Sequence, residues 1–387
     1  MLKPNYKNGS TLSLISSIGE AFSYRINYKP LKLLKPNELK NSKNIVLMII
    51  DGLGYEFLKK YGKGTEFNKN LKGKMTTVFP SSTSAAMTSF YTGLSPQEHG
   101  MTGWHMFMKE FGDVIIPLPY ITRFNKNKIM ELVNIKNLFI LPSFLEKLKV
   151  KTFLVQHKDI IDTHFTRTIA GKKTTRTPYN NLPDYFNKIR RIIKSSNRKK
   201  FIFAYYGEHD SLAHKYGTES RKVQSHFKEL NKKFSAFLDS IKNINATIIV
   251  TADHGHIDIE KEKRIHVKDH PILEECLALP LCGEERFTYA YIKPSKEKQF
   301  VSYMKKRLKY CCEIYKSKTL LQKGYFGKGK IHKNFTNRIG DYVILMKDNY
   351  GIYDWPIYIK KHRHHIGDHG GLSKEELFVP LFFVKSQ

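Results

Sequence analysis

Three short apolar runs, each ending in small or acidic residues, limit the folds open to this chain. Asn44-Ile-Val-Leu-Met-Ile-Ile50 leads into Asp51-Gly52-Leu53-Gly54, Phe201-Ile-Phe-Ala-Tyr-Tyr206 into Gly207, and Ala246-Thr-Ile-Ile-Val-Thr251 into Ala252-Asp253-His254-Gly255. A run that is apolar on both faces and rich in β-branched residues belongs to a parallel sheet covered on both sides. Helical patterns lie between the runs. From Ser220 to Ile241, Val223, Phe227, Leu230, Phe234, Phe237, Leu238 and Ile241 recur at three- and four-residue steps, which marks one buried face of a helix. This alternation predicts an α/β fold with a mostly parallel central sheet flanked by helices, whose sites gather beyond the strand C-termini.

The pattern changes after His256. Asp258 to His270 is charged, and the following stretch mixes a predicted strand, Tyr289 to Ile292, with a predicted helix, Lys296 to Leu308. The expectation is a small inserted α/β lobe over 258–338, with a core built from 1–257 and 339–387. A final pair of strands, Asp341 to Met346 and Leu377 to Val384, frames the polar segment His362 to Gly371 and returns the chain to the main sheet.

At 387 residues, with 41% hydrophobic, the chain can fill one large core. Met1 to Glu20 is too polar for a secretory leader, and no apolar run approaches the roughly 20 residues of a membrane-spanning helix. Cys276, Cys282, Cys311 and Cys312 form no CxxC pair and have no matching histidine spacing, so neither a zinc finger nor a disulfide framework is supported. Free thiols and the absence of a leader make a soluble, cytoplasmic protein the expectation. The net charge of +31 is spread along the chain, with short clusters at Arg198-Lys199-Lys200 and Lys261 to Lys268. Solvated basic surface is the reading preferred over a nucleic-acid partner, and either way the field attracts anionic substrates.

Six groups stand where strands end: Asp51, Asp210, His214, Asp253, His254 and His369. Carboxylates with imidazoles suit zinc, manganese or iron, and without nearby cysteine they fit a catalytic site better than a structural one. Asp210 and His214, four apart, share a helix face. Asp51 before glycine also suits a plain turn. His99, His105, Glu208, His209, His256 and Asp368 lie near these motifs as possible supporting partners and are not counted as ligands. Ser81, Ser82, Thr83 and Ser84 follow Phe79-Pro80 and open a helical stretch. A hydroxyl there can cap the helix, or it can attack an anion held by the free N–H groups.

Five motifs, taken together and in order, resemble the alkaline phosphatase superfamily, and within it the nucleotide pyrophosphatase/phosphodiesterase type. They are Ile49-Ile-Asp-Gly-Leu-Gly54; Val78-Phe-Pro-Ser-Ser-Thr83 with Thr92-Gly-Leu-Ser-Pro-Gln-Glu-His-Gly100; Tyr206-Gly-Glu-His-Asp-Ser-Leu-Ala-His214; Thr251-Ala-Asp-His-Gly255; and Gly367-Asp-His-Gly-Gly371. The resemblance implies an alkaline-phosphatase-like fold and two divalent ions, zinc first and manganese second. It places the nucleophile ten positions before the glycine of the Thr-Gly pair, at Thr83. It also implies that Asp210, His214 and His369 bind one ion and that Asp51, Thr83, Asp253 and His254 bind the other. The implied reaction is hydrolysis of a nucleotide or other small phosphodiester through a covalent threonine intermediate.

This chain departs from the family at one position, where the usual phosphoryl-contacting asparagine is Trp104. Its indole N–H can still donate a hydrogen bond, and Trp104 is taken as the substrate-binding residue. Two alternatives remain. A phosphomonoesterase on the same site would need a cationic group such as Arg123 or Lys109. A catalytically silent nucleic-acid-binding protein would explain the charge and leave the acidic and imidazole set unexplained.

Overall fold

The computed structural model describes residues 1–127, 129, 133–354 and 364–386. Seven strands form the main sheet in the order Leu71–Thr76, Phe378–Ser386, Ala246–Thr251, Asn44–Ile50, Lys200–Tyr206, Lys151–His157, Thr175–Tyr179. Asn44–Ile50 pairs in parallel with both neighbours, placing Ile45 opposite Phe201 on one side and Thr247 on the other. Lys151–His157 is likewise parallel to Lys200–Tyr206 and to Thr175–Tyr179. Phe378–Ser386 runs antiparallel to its two neighbours. The predicted mostly parallel sheet is therefore present. Its central strand is buried at every residue, as a run apolar on both faces requires. The edge strands are built differently: Leu71–Thr76 carries Lys72, Gly73 and Lys74, and Thr175–Tyr179 contains Pro178, which a sheet edge tolerates.

Helices cover the sheet. Arg221–Ser240 begins at Ser220, whose Oγ accepts the Val223 N–H, and buries Val223, Phe227, Leu230, Phe234 and Phe237. Phe234 stacks on Phe67 with ring centroids 4.6 Å apart. The stretch that looks too polar for a leader is a helix, Thr11–Ala21, and it is buried all round except at Glu20. Two of its serines find acceptors inside: Ser17 Oγ donates to the Leu34 carbonyl at 2.6 Å, and Ser16 Oγ to that of Tyr28.

A second sheet holds Cys282–Glu284, Phe287–Ala290, Tyr342–Met346 and Cys312–Lys316 in that order, all antiparallel. Side chains alternate between its faces. Ala290, Tyr342, Ile344 and Met346 pack with Phe300 and Met304 of the helix Glu297–Arg307. Phe287, Tyr289, Val343 and Leu345 face the opposite way and join Phe79, Leu372 and Leu377. One expectation is corrected here. The strand at 341–346 does not return to the main sheet; it sits between two strands of the second sheet, because its alternating apolar faces fill two separate cores. Residues 362 and 363 of the polar segment lie outside the described residues. Among the described residues, no helix is long and apolar enough to cross a membrane.

Candidate active site

The parallel strands deliver their polar residues to one edge of the sheet. Asp51 follows the central strand directly, its N–H still donating to the Tyr206 carbonyl at 2.9 Å. Asp253 and His254 follow Ala246–Thr251, while Asp210 and His214 lie on the helix Glu208–Tyr216 after Lys200–Tyr206. His369 arrives from the other end of the chain, fastened where the Ser81 N–H donates to the Gly370 carbonyl. Thr83 is the first residue of the helix Thr83–Thr92, which no side chain caps, so its first-turn N–H groups are available to an anion. Ser82 does not cap it because its Oγ donates to Glu284, and Ser81 Oγ donates to the Gly371 carbonyl at 2.7 Å.

Four imidazoles are oriented in the same manner. His214 Nδ1 lies 2.8 Å from the Gly367 carbonyl, His254 Nδ1 3.2 Å from that of Gly255, His256 Nδ1 3.2 Å from that of Gly52, and His369 Nδ1 3.0 Å from that of Ser81. A carbonyl only accepts, so each Nδ1 carries a proton and each Nε2 faces inward, where it offers a lone pair whenever the ring is neutral. His254 Nε2 is 3.2 Å from Asp51 Oδ1, 3.4 Å from Asp253 Oδ2 and 3.0 Å from Thr83 Oγ1. Asp210 Oδ1 is 3.2 Å from His214 Nε2, 3.0 Å from His256 Nε2 and 3.9 Å from His369 Nε2. The carboxylates are held in turn: Asp253 Oδ1 accepts the backbone N–H groups of Gly52 and His254, and Asp51 Oδ2 accepts the Tyr205 hydroxyl. Gly255 is required where the chains cross, since a Cβ there would stand 2.1 Å from the Glu375 carbonyl oxygen.

The electrostatics are those of a site built for cations. Burial, then Asp253 and Asp210, pushes the Asp51 carboxyl well above the usual range. Burial, then His254 and His214, pushes His369 well below its own. Burial opposes charge on His214, but the Asp210 carboxylate outweighs it and raises that imidazole to about 10. Asp51 Oδ1, Asp210 Oδ1, Asp253 Oδ2 and His256 Nε2 are buried without a hydrogen-bond partner. Lone pairs converging with nothing between them are what a divalent ion satisfies, so the residues present fit a metal centre. Asp210, His214, His256 and His369 offer atoms that all lie within 4.8 Å of one another, and Asp51, Asp210 and His254 form a second such group.

All seven predicted ligand positions come together at this edge. Asp51, Thr83, Asp210, His214 and His369 line a cavity of about 640 Å³ together with Trp104, Met87, Tyr91 and Phe165. The supporting partners divide. His105 and Asp368 line the same cavity, and His256 faces Asp210. His99 and His209 sit elsewhere: His99 Nε2 donates to Ser89 Oγ at 3.1 Å, and the ring of His209 packs on Phe57. Glu208 accepts the Tyr206 hydroxyl. Neither cation named for a monoesterase lines the cavity. Arg123 donates to the carbonyls of Leu281 and Asp354, and Lys109 lies in a separate cleft on the second sheet; Lys126 lines the cavity instead. Glu284 is the residue the sequence does not announce. It crosses from the second sheet and accepts from the Ser82 hydroxyl and from the backbone N–H of Trp104, beside Thr83 in the cavity wall.

Fold and site together define an α/β protein with an alkaline-phosphatase-like fold and a cluster of carboxylates and imidazoles at one edge of its main sheet. Solved structures share the architecture: murine ectonucleotide pyrophosphatase/phosphodiesterase 5 at TM-score 0.65 and 17% identity, covering 87% of each chain, and an inactive threonine-to-alanine variant of it in complex with AMP at 0.64 and 16%, also covering 87% of each. Phosphonoacetate hydrolase from Sinorhizobium meliloti, in complex with phosphonoformate, matches at 0.65 and 16% identity over 87% of this chain and 89% of that one. Residues 45–372 match the family model for type I phosphodiesterase / nucleotide pyrophosphatase, and the chain belongs to that family. In sequence it is similar to ectonucleotide pyrophosphatase/phosphodiesterase family member 7 of Rattus norvegicus, 28% identical over 109 residues, which is 27% of this chain and 25% of that protein. The mouse counterpart is 27% identical over the same shares, so the match spans about a quarter of these relatives' length.

Proposed function

We propose that this chain is a metal-dependent phosphodiesterase or nucleotide pyrophosphatase acting on nucleotide-like small molecules through a covalent intermediate on Thr83. The observation that carries the reading is Thr83 Oγ1 at 3.0 Å from His254 Nε2, at an uncapped helix start beside the converging lone pairs. Asp51, Thr83, Asp253 and His254 hold one ion and Asp210, His214 and His369 the other, with zinc or manganese suited to such donors. Bound there, the ions supply positive charge that favours the alkoxide and screens the phosphoryl oxygens. Thr83 Oγ1 bonds to phosphorus as the ester or anhydride P–O bond breaks, and the threonine proton ends on the departing group. Water oxygen then bonds to the same phosphorus as the Thr83 Oγ1–P bond breaks, and one of its protons passes to Oγ1 to restore the threonine hydroxyl. Trp104 closes the cavity over the non-phosphate part of the substrate. The inactive threonine variant of the murine neighbour, with its AMP, supports both the nucleophile and a nucleotide-like substrate. Four buried cysteines without a disulfide support a reducing, cytoplasmic setting.

The test compares a chromogenic diester with the monoester of the same alcohol, with and without chelator. Faster diester cleavage that chelator abolishes is expected, and Thr83→Ala should lower kcat by about 10³-fold or more while metal content stays largely intact, three ligands remaining to that ion. No cleavage of either ester by metal-loaded protein overturns the reading. A fully active Thr83→Ala variant overturns the choice of nucleophile.

A further inference from the structure

We infer that His256 is a fourth protein ligand beside Asp210, His214 and His369, so that one ion meets three imidazoles and a carboxylate. The inference rests on the metal-dependent reading above and extends it to a residue outside its ligand set. His256 Nε2 lies 3.0 Å from Asp210 Oδ1, the same oxygen that stands 3.2 Å from His214 Nε2. With Nδ1 donating to the Gly52 carbonyl, a neutral His256 has only a lone pair to offer at Nε2. Two lone pairs at that separation repel unless a proton or a cation lies between them. Both atoms are buried and neither makes a hydrogen bond. The position is also built for this ring. Gly52 has φ +72°, and a Cβ there would stand 2.2 Å from His256 Cε1, so any larger residue at 52 displaces the imidazole.

A fourth protein ligand has a chemical consequence. Four protein ligands close a tetrahedral zinc site, whereas hydrolytic sites keep a position open. An ion that accepts five or six ligands keeps one, and imidazoles with a carboxylate suit manganese or iron(II). The His256 ligand therefore shifts the preference of this ion away from zinc.

The experiment uses the full chain, stripped and reloaded with Mn²⁺, with metal counted by mass spectrometry under competition from a chelator of known affinity. Wild type should hold two equivalents. His256→Ala should weaken one of them about 10- to 100-fold and leave the other unchanged, with its preference moved toward Zn²⁺. His256→Gln, which can still donate a hydrogen bond to Asp210, should behave like the alanine variant. Unchanged binding in His256→Ala overturns the inference, as does full rescue by glutamine, which would make His256 only a positioning partner of Asp210. If the variants do not fold, pulsed electron paramagnetic resonance of wild type carrying one equivalent of Mn²⁺ decides by counting coordinated imidazoles. Three support the inference, and two, the count from His214 and His369 alone, overturn it. A wild-type protein that binds no metal fails at the underlying reading, a result distinct from failure of His256 alone.

Discussion

Thr83 and Trp104 line the same cavity and answer to different tests. Trp104 gives its backbone N–H to Glu284, a bond that alanine keeps, and its ring to the cavity wall, so Trp104→Ala should raise KM about 5- to 50-fold while changing kcat less, as for loss of one base- or leaving-group contact worth about 1–2 kcal/mol. His99 allows a pH test away from the ions. Burial holds its imidazole down at about 3, with Nδ1 accepting the Met101 N–H at 3.0 Å. The unfolded chain takes up this proton near 6.5 and the folded one does not, so stability is complete above that pH and is lost as pH falls toward 3. Between pH 6.5 and 5 the cost is about 2 kcal/mol. In urea titrations at the two pH values, His99→Gln should lose about that much less than wild type. Six of the seven predicted ligand positions were legible at strand ends or in short motifs, whereas Thr83 stands among Ser81, Ser82 and Ser84 and is singled out only by the family resemblance. His256 was not legible, because its orientation depends on the carbonyl of Gly52, some two hundred residues earlier in the chain.

The turn between Cys282–Glu284 and Phe287–Ala290 ties the second sheet to the loop that carries His369. Arg286, about 1% exposed, donates to both oxygens of Glu376 at 3.3 and 3.2 Å. Glu376 in turn accepts the Gly371 N–H at 2.8 Å and closes the capping box of the helix Lys374–Leu377. Arg286→Leu leaves that carboxylate buried and unpaired. It should destabilise the protein by about 3–5 kcal/mol, read as a drop in Tm, and weaken metal retention because His369 loses its anchor. None of this pairing is written locally. The strands buried on both faces were legible as apolar runs, and so was the helix Arg221–Ser240. The edge strands Leu71–Thr76 and Thr175–Tyr179 carry lysine, glycine or proline where a pattern of burial would be sought. Tyr342–Met346 reads as a strand from its residues, but its partners come from residues 287–290 and 312–316.

The net charge of +31 acts over the whole surface. For an anionic diester, kcat/KM should fall several-fold between about 20 and 300 mM salt with kcat nearly constant, because steering is screened and the buried site is not. Affinity for a polynucleotide that falls steeply with salt would instead support the binding-protein alternative. One feature of the main sheet bears on how the molecule is made. Phe378–Ser386 lies between Leu71–Thr76 and Ala246–Thr251, and Leu71–Thr76 has no other neighbour in that sheet. A ribosome that has translated as far as Gly371 has already produced every group of the proposed centre, yet one strand still lacks its place and another presents an open edge. The nascent chain thus carries its chemistry before it can complete its scaffold, and over that interval a chaperone, or a second nascent chain, can pair with the exposed edge.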